Sequence, residues 1–172
     1  MGEKMKNYSS LKIVLIDQKY CDYLRKFDNK VPYNMNKKNN RPFVGILFNV
    51  NNHNYFAPLS SPKKKHLHMK NNLDFYKIDN GVLGVVNFNN MIPVNDKCFT
   101  IIDFRKKIKD LNDQKYLLML KKQYKYLNKH KKELRKKSKL LYNLYCSNKL
   151  TKNIINRCCN FKLLEEKSVM YN

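Results

Sequence analysis

Apolar positions in the first hundred residues come in short bursts separated by polar turns. Leu11 to Ile16 is one burst, with Ile13, Val14, Leu15 and Ile16 in succession, and it reads as a strand. Asp17 follows as a helix N-cap. Tyr20, Tyr23, Leu24 and Phe27 then recur at three- and four-residue spacing, one face of a short helix that ends at or before Pro32. Residues 33–41 are Asn-rich and basic and read as a loop. Phe43 to Asn49 is a strongly apolar strand, Asn51-Asn52 a hairpin turn, and His53 to Phe56 the return strand. Leu73 to Ile78 and Val82 to Phe88 are further strands on either side of an Asp79-Asn80-Gly81 turn. Met91 to Val94, interrupted by Pro93, is a short strand, and Cys98 to Asp103 is the last. Short strands with turns at this spacing predict a compact antiparallel barrel or a strongly twisted sheet.

At Phe104 the pattern changes: Lys and Arg become dense, and Gly and Pro disappear. Leu117, Leu120, Tyr124 and Leu127 keep a helical three-four-three spacing, and Leu134, Ser138, Leu141 and Tyr145 resume it in a different phase. This predicts a basic helical hairpin turning near Asn128 to Lys131, with one long kinked helix as the alternative. Leu150 to Glu166 adds one or two short helices. The apolar helix faces need a surface and the sheet is the available one, so the class is α+β. Residues 11–172 read as a single domain behind a loose leader, residues 1–10.

Composition adds a partner. The 172 residues carry 36 Lys+Arg against 13 Asp+Glu, a formal net charge of +23. Such an excess repels itself, and a polyanion relieves it. RNA, DNA and an anionic membrane surface are the candidates. No run of about 18 apolar residues exists to cross a bilayer, and the first residues lack an apolar signal core. Lys6 stands where a myristoylation signal has Ser or Thr. The five cysteines are odd in number, two are adjacent, and none forms Cys-x-x-Cys, which fits reduced thiols in a cytoplasmic protein.

The densest chemistry lies in Ala57-Pro58-Leu59-Ser60-Ser61-Pro62-Lys63-Lys64-Lys65-His66. Two prolines stiffen the backbone while two hydroxyls, three ammonium groups and an imidazole follow one another. Hydroxyls bond phosphate oxygens and lysines neutralise phosphate charge. The four glycines are too scattered for a phosphate loop, the four histidines show no paired ligand spacing, and the acidic residues are few and dispersed. No cofactor is expected. What remains is metal-free phosphodiester chemistry on RNA, with the substrate's own 2′-hydroxyl as nucleophile. Lys63 suits charge stabilisation and Ser61 and Ser60 suit holding phosphate oxygens. Arg41 suits a bidentate phosphate contact, and Tyr33 in the same loop suits stacking on a base or giving a proton. His53 and His66 have ordinary pKa values suited to acid–base work. Lys64 and Lys65 complete the cationic turn.

These residues resemble those of the ToxN/AbiQ endoribonucleases, the toxins of type III toxin–antitoxin systems. The resemblance runs from Leu11 to about Lys167. It rests on Lys30-Val31-Pro32, Arg41-Pro42-Phe43-Val44-Gly45-Ile46, and Tyr55-Phe56 leading into the Ala57 to Lys63 motif with nearby His66. Gly84 through Asn87, Met91-Ile92-Pro93-Val94, the long basic helical region and Cys159 to Glu165 complete it. The resemblance implies a barrel like that of the Kid and MazF toxins with added helices. It implies metal-independent cleavage that leaves 2′,3′-cyclic phosphate and 5′-hydroxyl ends. It implies a repeated RNA pseudoknot as antitoxin, a chain that is monomeric alone, ring-like toxin–RNA assemblies, and activity against phage infection. Under it Ser61 is the essential serine, Ser60 stands where Thr or Ser occurs, Lys63 is the family lysine, and Arg41 holds a position that is Lys in some members. Tyr33 stands for the loop tyrosine, and residues 1–10 for an upstream extension. A non-catalytic basic RNA-binding protein is the rival reading, and a histidine-based nuclease the rival within enzymes. A membrane-surface role fits poorly, because the basic helices lack a sharply apolar Leu/Phe face.

Overall fold

The computed structural model describes residues 10–33 and 40–172. Residues 1–9 of the leader and residues 34–39 of the Asn-rich loop lie outside the described residues. The first strand, β1 (Lys12–Ile16), is followed at once by helix α1 (Gln18–Arg25). Asp17 caps α1 as its spacing predicts: its carboxylate accepts from the Lys19 N–H at 2.9 Å. Tyr20, Cys21 and Leu24 form the buried face, while Phe27 lies beyond the helix end and is exposed.

The predicted Phe43 to Asn49 strand is broken into β2 (Pro42–Gly45) and β3 (Asn49–Val50). Both pair with the long strand β4 (His53–Ser60). Between the Phe43–Pro58 and Asn49–Asn54 pairs, β2 and β3 take six steps against four on β4. The extra residues form a bulge, which is why a continuous apolar run is not a continuous strand. Asn51 and Asn52 turn the hairpin with φ of 48° and 63°.

The two strands expected around Asp79-Asn80-Gly81 shrink to β5 (Tyr76–Lys77) and β6 (Val85–Val86). Asp79, Asn80, Gly81 and Gly84 all have positive φ, so the chain between the strands coils and cannot pleat. β7 (Ile92–Pro93) and β8 (Phe99–Ile101) complete an eight-stranded antiparallel sheet. Its order is β5-β6-β4-β2-β1-β8, with β3 and β7 also on β4. Among the described residues no ladder joins β5 to β8, so hydrogen bonding leaves the sheet open where the sequence predicts a barrel.

The basic region is not the expected hairpin but its alternative, a long helix kinked at one residue. Helices α3 (Leu111–Lys129) and α4 (Lys131–Cys146) meet at His130. The bonds from the His130 N–H to the Tyr126 carbonyl and from the Leu134 N–H to the His130 carbonyl carry the helix through the kink. Leu120, Leu127, Leu134, Ser138 and Leu141 are buried, as the two phases predict. Asn128, just before the kink, ties the helix to the start of β1 by accepting from the Leu11 N–H at 2.8 Å and donating to the Leu11 carbonyl at 3.2 Å. Short helix α2 (Lys64–His68) follows β4, and α5 (Lys152–Arg157) and α6 (Phe161–Val169) close the chain. Helix α6 packs beside α1 and β7, where the Tyr23 hydroxyl donates to the Lys167 carbonyl at 3.1 Å. One buried cluster, with Phe43, Tyr55, Phe56, Phe88 and Phe161 among its largest members, joins the sheet to α1 and to α3 through α6. Among the described residues no helix is long and apolar enough to cross a membrane.

Candidate active site

The chemistry-rich stretch occupies the C-terminal end of β4 and the turn beyond it. Ala57, Pro58 and Leu59 are buried in the sheet; Ser60 is half-buried; Ser61, Pro62, Lys63, Lys64 and Lys65 are exposed. Burial therefore ends at the first hydroxyl, and Ser61 to Lys65 face solvent on a short tether to the core.

Two neighbours flank Ser60. On one side β2 pairs with β4 as Phe43–Pro58 and Val44–Ala57. Arg41 directly precedes β2, and the same register extended two residues past the Phe43–Pro58 pair would bring it level with Ser60. Tyr116 of α3 lies near the Arg41 guanidinium: burial pushes its phenol up, and the Arg41 charge holds it back. On the other side β6 pairs as Leu59–Val86 and Ser60–Val85. Asn87 follows β6, its N–H donates to the Pro58 carbonyl at 3.0 Å, and its Nδ2 donates to Ser60 Oγ at 2.8 Å. Asn87 belongs to the quoted Gly84 to Asn87 motif, yet the sequence offers no sign that it reaches Ser60. Only the β4–β6 register creates that contact.

The turn itself is pinned by His66. This ring is 2% exposed. Its Nδ1 accepts from the Lys63 N–H at 3.2 Å, and the His66 N–H donates to the Lys63 carbonyl at 2.9 Å. The accepting Nδ1 requires an uncharged ring at that nitrogen. Burial, Lys65 and Lys63 all push the His66 pKa down, in keeping with that state. His66, expected as an acid–base or RNA-contacting group, is buried and braces the backbone of Lys63. Gly84 and Gly81 press on the same turn. A Cβ at Gly84 would lie 2.0 Å from the Ser60 carbonyl oxygen, and one at Gly81 would lie 2.4 Å from the His66 carbonyl oxygen. Lys77 Nζ donates to the Met69 carbonyl at 2.9 Å and holds the end of α2 to β5.

His53 stands at the opposite end of β4. Seven strand steps separate it from Ser60, about 23 Å at the usual rise. Its Nδ1 lies 3.3 Å from Ser168 Oγ of α6, and burial lowers its pKa. It stands apart from the serines, at the far end of the strand. Tyr33 is 69% exposed, and the Arg25 guanidinium lies 4.0 Å from its ring centroid. Among the described residues no three His, Cys, Asp or Glu side chains gather as they would around a metal ion.

A hydroxyl held by Asn87, leading into an exposed Ser-Pro-Lys-Lys-Lys turn, is equipped to bind a phosphate and to stabilise charge on it. Comparison with known proteins gives the chain its family. A family model described as toxin ToxN of type III toxin–antitoxin systems matches residues 12–169. This chain belongs to the ToxN toxin family. Among its relatives, endoribonuclease ToxN of Bacillus thuringiensis subsp. kurstaki is 33% identical over 97% of this chain and 87% of that protein. Endoribonuclease ToxN of Pectobacterium atrosepticum is 34% identical over 91% of both chains. Endoribonuclease AbiQ of Lactococcus lactis subsp. lactis is 32% identical over 95% of this chain and 90% of that protein.

Solved ToxN-family structures share the fold. One, described as “A processed non-coding RNA regulates a bacterial antiviral system”, aligns with a TM-score of 0.80 at 32% identity, over 94% of this chain and 99% of that one. Another concerns “selective toxin inhibition by a non-coding RNA pseudoknot” and aligns at 0.78 with 32% identity, over 94% and 98%. A third, of AbiQ, “a lactococcal anti-phage endoribonuclease”, aligns at 0.78 with 28% identity, over 94% and 98%.

Proposed function

We propose that this ToxN-family chain is an endoribonuclease toxin whose reaction centre is the Ser60–Ser61 turn. The observation that carries the reading is the end of β4. There buried strand gives way at Ser60, held by Asn87 Nδ2, to exposed Ser61 and Lys63. In the reaction the RNA 2′-hydroxyl gives up its proton and forms a bond to the adjacent phosphorus. The bond from phosphorus to the 5′-oxygen breaks, and that oxygen takes a proton. The products are a 2′,3′-cyclic phosphate and a 5′-hydroxyl. The nucleophile belongs to the substrate, so the protein's task is alignment and charge stabilisation. Ser61 and Ser60 hold the phosphoryl oxygens and orient the ribose. Lys63 and Arg41 meet the charge that builds on phosphorus. Lys64 and Lys65 draw in the flanking backbone, and Tyr33 receives a base.

The partner follows from the same surface. A pseudoknot RNA antitoxin, cut from its repeats by the toxin, leaves its end on the turn as a bound product and so blocks it. The net charge of +23 favours such a partner. Monomeric toxin alone, ring-like assembly with the antitoxin, action against phage, a cytoplasmic setting and a single toxin domain over residues 11–172 belong to this reading. So does a barrel-like curl of the sheet, which the bulge between β2 and β3 and the sharing of β4 among several strands would promote.

The test is induction of the wild-type chain and of Ser61→Ala, with mapping of RNA ends. Growth arrest with new 5′-hydroxyl ends in the wild type alone is the expected result. Arrest in both, or no new ends in either, leaves a basic RNA-binding protein and removes this mechanism.

A further inference from the structure

Asn87 reaches the reaction centre without belonging to the basic turn. Its backbone N–H is fixed to the Pro58 carbonyl at 3.0 Å, so the origin of its side chain is set by the β4–β6 pairing. From there Nδ2 donates to Ser60 Oγ at 2.8 Å. Just before it, Gly84 has φ of +96° and packs against the Ser60 carbonyl. The segment from Gly84 to Asn87 therefore grips Ser60 at both its carbonyl and its hydroxyl.

A serine hydroxyl has one proton and two lone pairs. When Asn87 donates into one lone pair, the Ser60 proton must point elsewhere. The exposed turn that follows it, Ser61 to Lys65, is the side on which a phosphate would sit. We infer that Asn87 is the positioning residue of this centre: it turns the Ser60 O–H toward a phosphoryl oxygen of bound RNA. Without Asn87 the hydroxyl rotates freely, and its proton satisfies whichever acceptor lies nearest. Ser60 then gives less stabilisation just where charge develops. The inference rests on the proposed function, since it concerns how Ser60 serves that reaction.

The experiment is a double-mutant cycle on RNA cleavage by the full chain. It uses Asn87→Ala and the shape-preserving Asn87→Leu, each with Ser60 present and in a Ser60→Ala background. Thermal unfolding is recorded for every variant. With Ser60 present, both substitutions are expected to lower kcat by about tenfold or more while KM changes little, the size of a coupled pair in contact. In the Ser60→Ala background they are expected to lower it no further. Equal losses in both backgrounds would overturn the inference, since Asn87 would then act independently of Ser60. A Ser60→Ala protein as fast as the wild type would also overturn it, while leaving the endoribonuclease reading intact. A wild-type chain that cleaves nothing would instead remove the proposed function itself.

Discussion

The two ends of β4 use polar groups in opposite ways. At the His53 end, Glu165 of α6 is buried and accepts from the Tyr55 hydroxyl at 2.8 Å and the Tyr142 hydroxyl at 2.6 Å. Lys162 lies 3.3 Å from its other oxygen, and His53 faces Ser168. Every named group there is engaged by another group of the protein. Burial and Glu165 push both tyrosine pKa values far up, so the phenols stay donors. At the Ser60 end, protein partners hold the frame, through Asn87 and His66, and the cations beyond are exposed. The difference is diagnostic: polar groups that complete one another hold the fold, whereas those presented outward on a braced turn await a ligand.

The largest expected effect breaks the closed end. Glu165→Ala leaves two buried hydroxyls without their acceptor, at roughly 1–3 kcal/mol each. Chemical denaturation should show a loss of about 3 kcal/mol or more, with a much smaller loss for Ser61→Ala at the exposed turn. Equal stability losses at both ends would erase the contrast.

Gly84→Ala tests the brace at the open end. The new methyl would drive against the Ser60 carbonyl at a position with φ of +96°. Backbone strain of this kind costs about 1–3 kcal/mol. Stability should fall by that amount, and RNA cleavage should fall further than stability explains, because the displaced residue is Ser60. Wild-type cleavage by a destabilised Gly84→Ala would show that the turn tolerates movement.

The smallest effect sharpens the role of His66. Its pKa is lowered in the fold, while an unfolded chain titrates near about 6.5. The stability it contributes is thus complete above that pH and is lost as pH falls toward the lowered native value. Protonation also replaces the Nδ1 lone pair with a donor facing the Lys63 N–H. Denaturation between about pH 7 and 5 should therefore show a shallower loss of stability in His66→Asn than in the wild type. His53 also has a lowered pKa, so the difference between the two proteins isolates His66. Identical slopes would separate the ring from the turn's acid sensitivity.

Much of this molecule was legible in its residues. Asp17 as a cap, Asn51-Asn52 as a turn, the helical stretches on either side of His130 and the Ser60 to Lys65 cluster follow from local rules, and all lie where those rules put them. That the two stretches form one kinked helix and not a hairpin was left open by their periodicity. Periodicity and turn chemistry act between near neighbours, so a linear reading sees them. Pairing acts between distant ones. Only the pairing of β4 with its neighbours decided that Asn87 reaches Ser60, that the run after Phe43 breaks into two strands, and that the two histidines part company. His53 and His66 have the same chemistry in the chain; a strand of eight residues sends one to α6 and folds the other beneath Lys63. What a side chain does is set by what the tertiary fold places beside it, because desolvation and hydrogen bonding depend on neighbours that the chain order does not name.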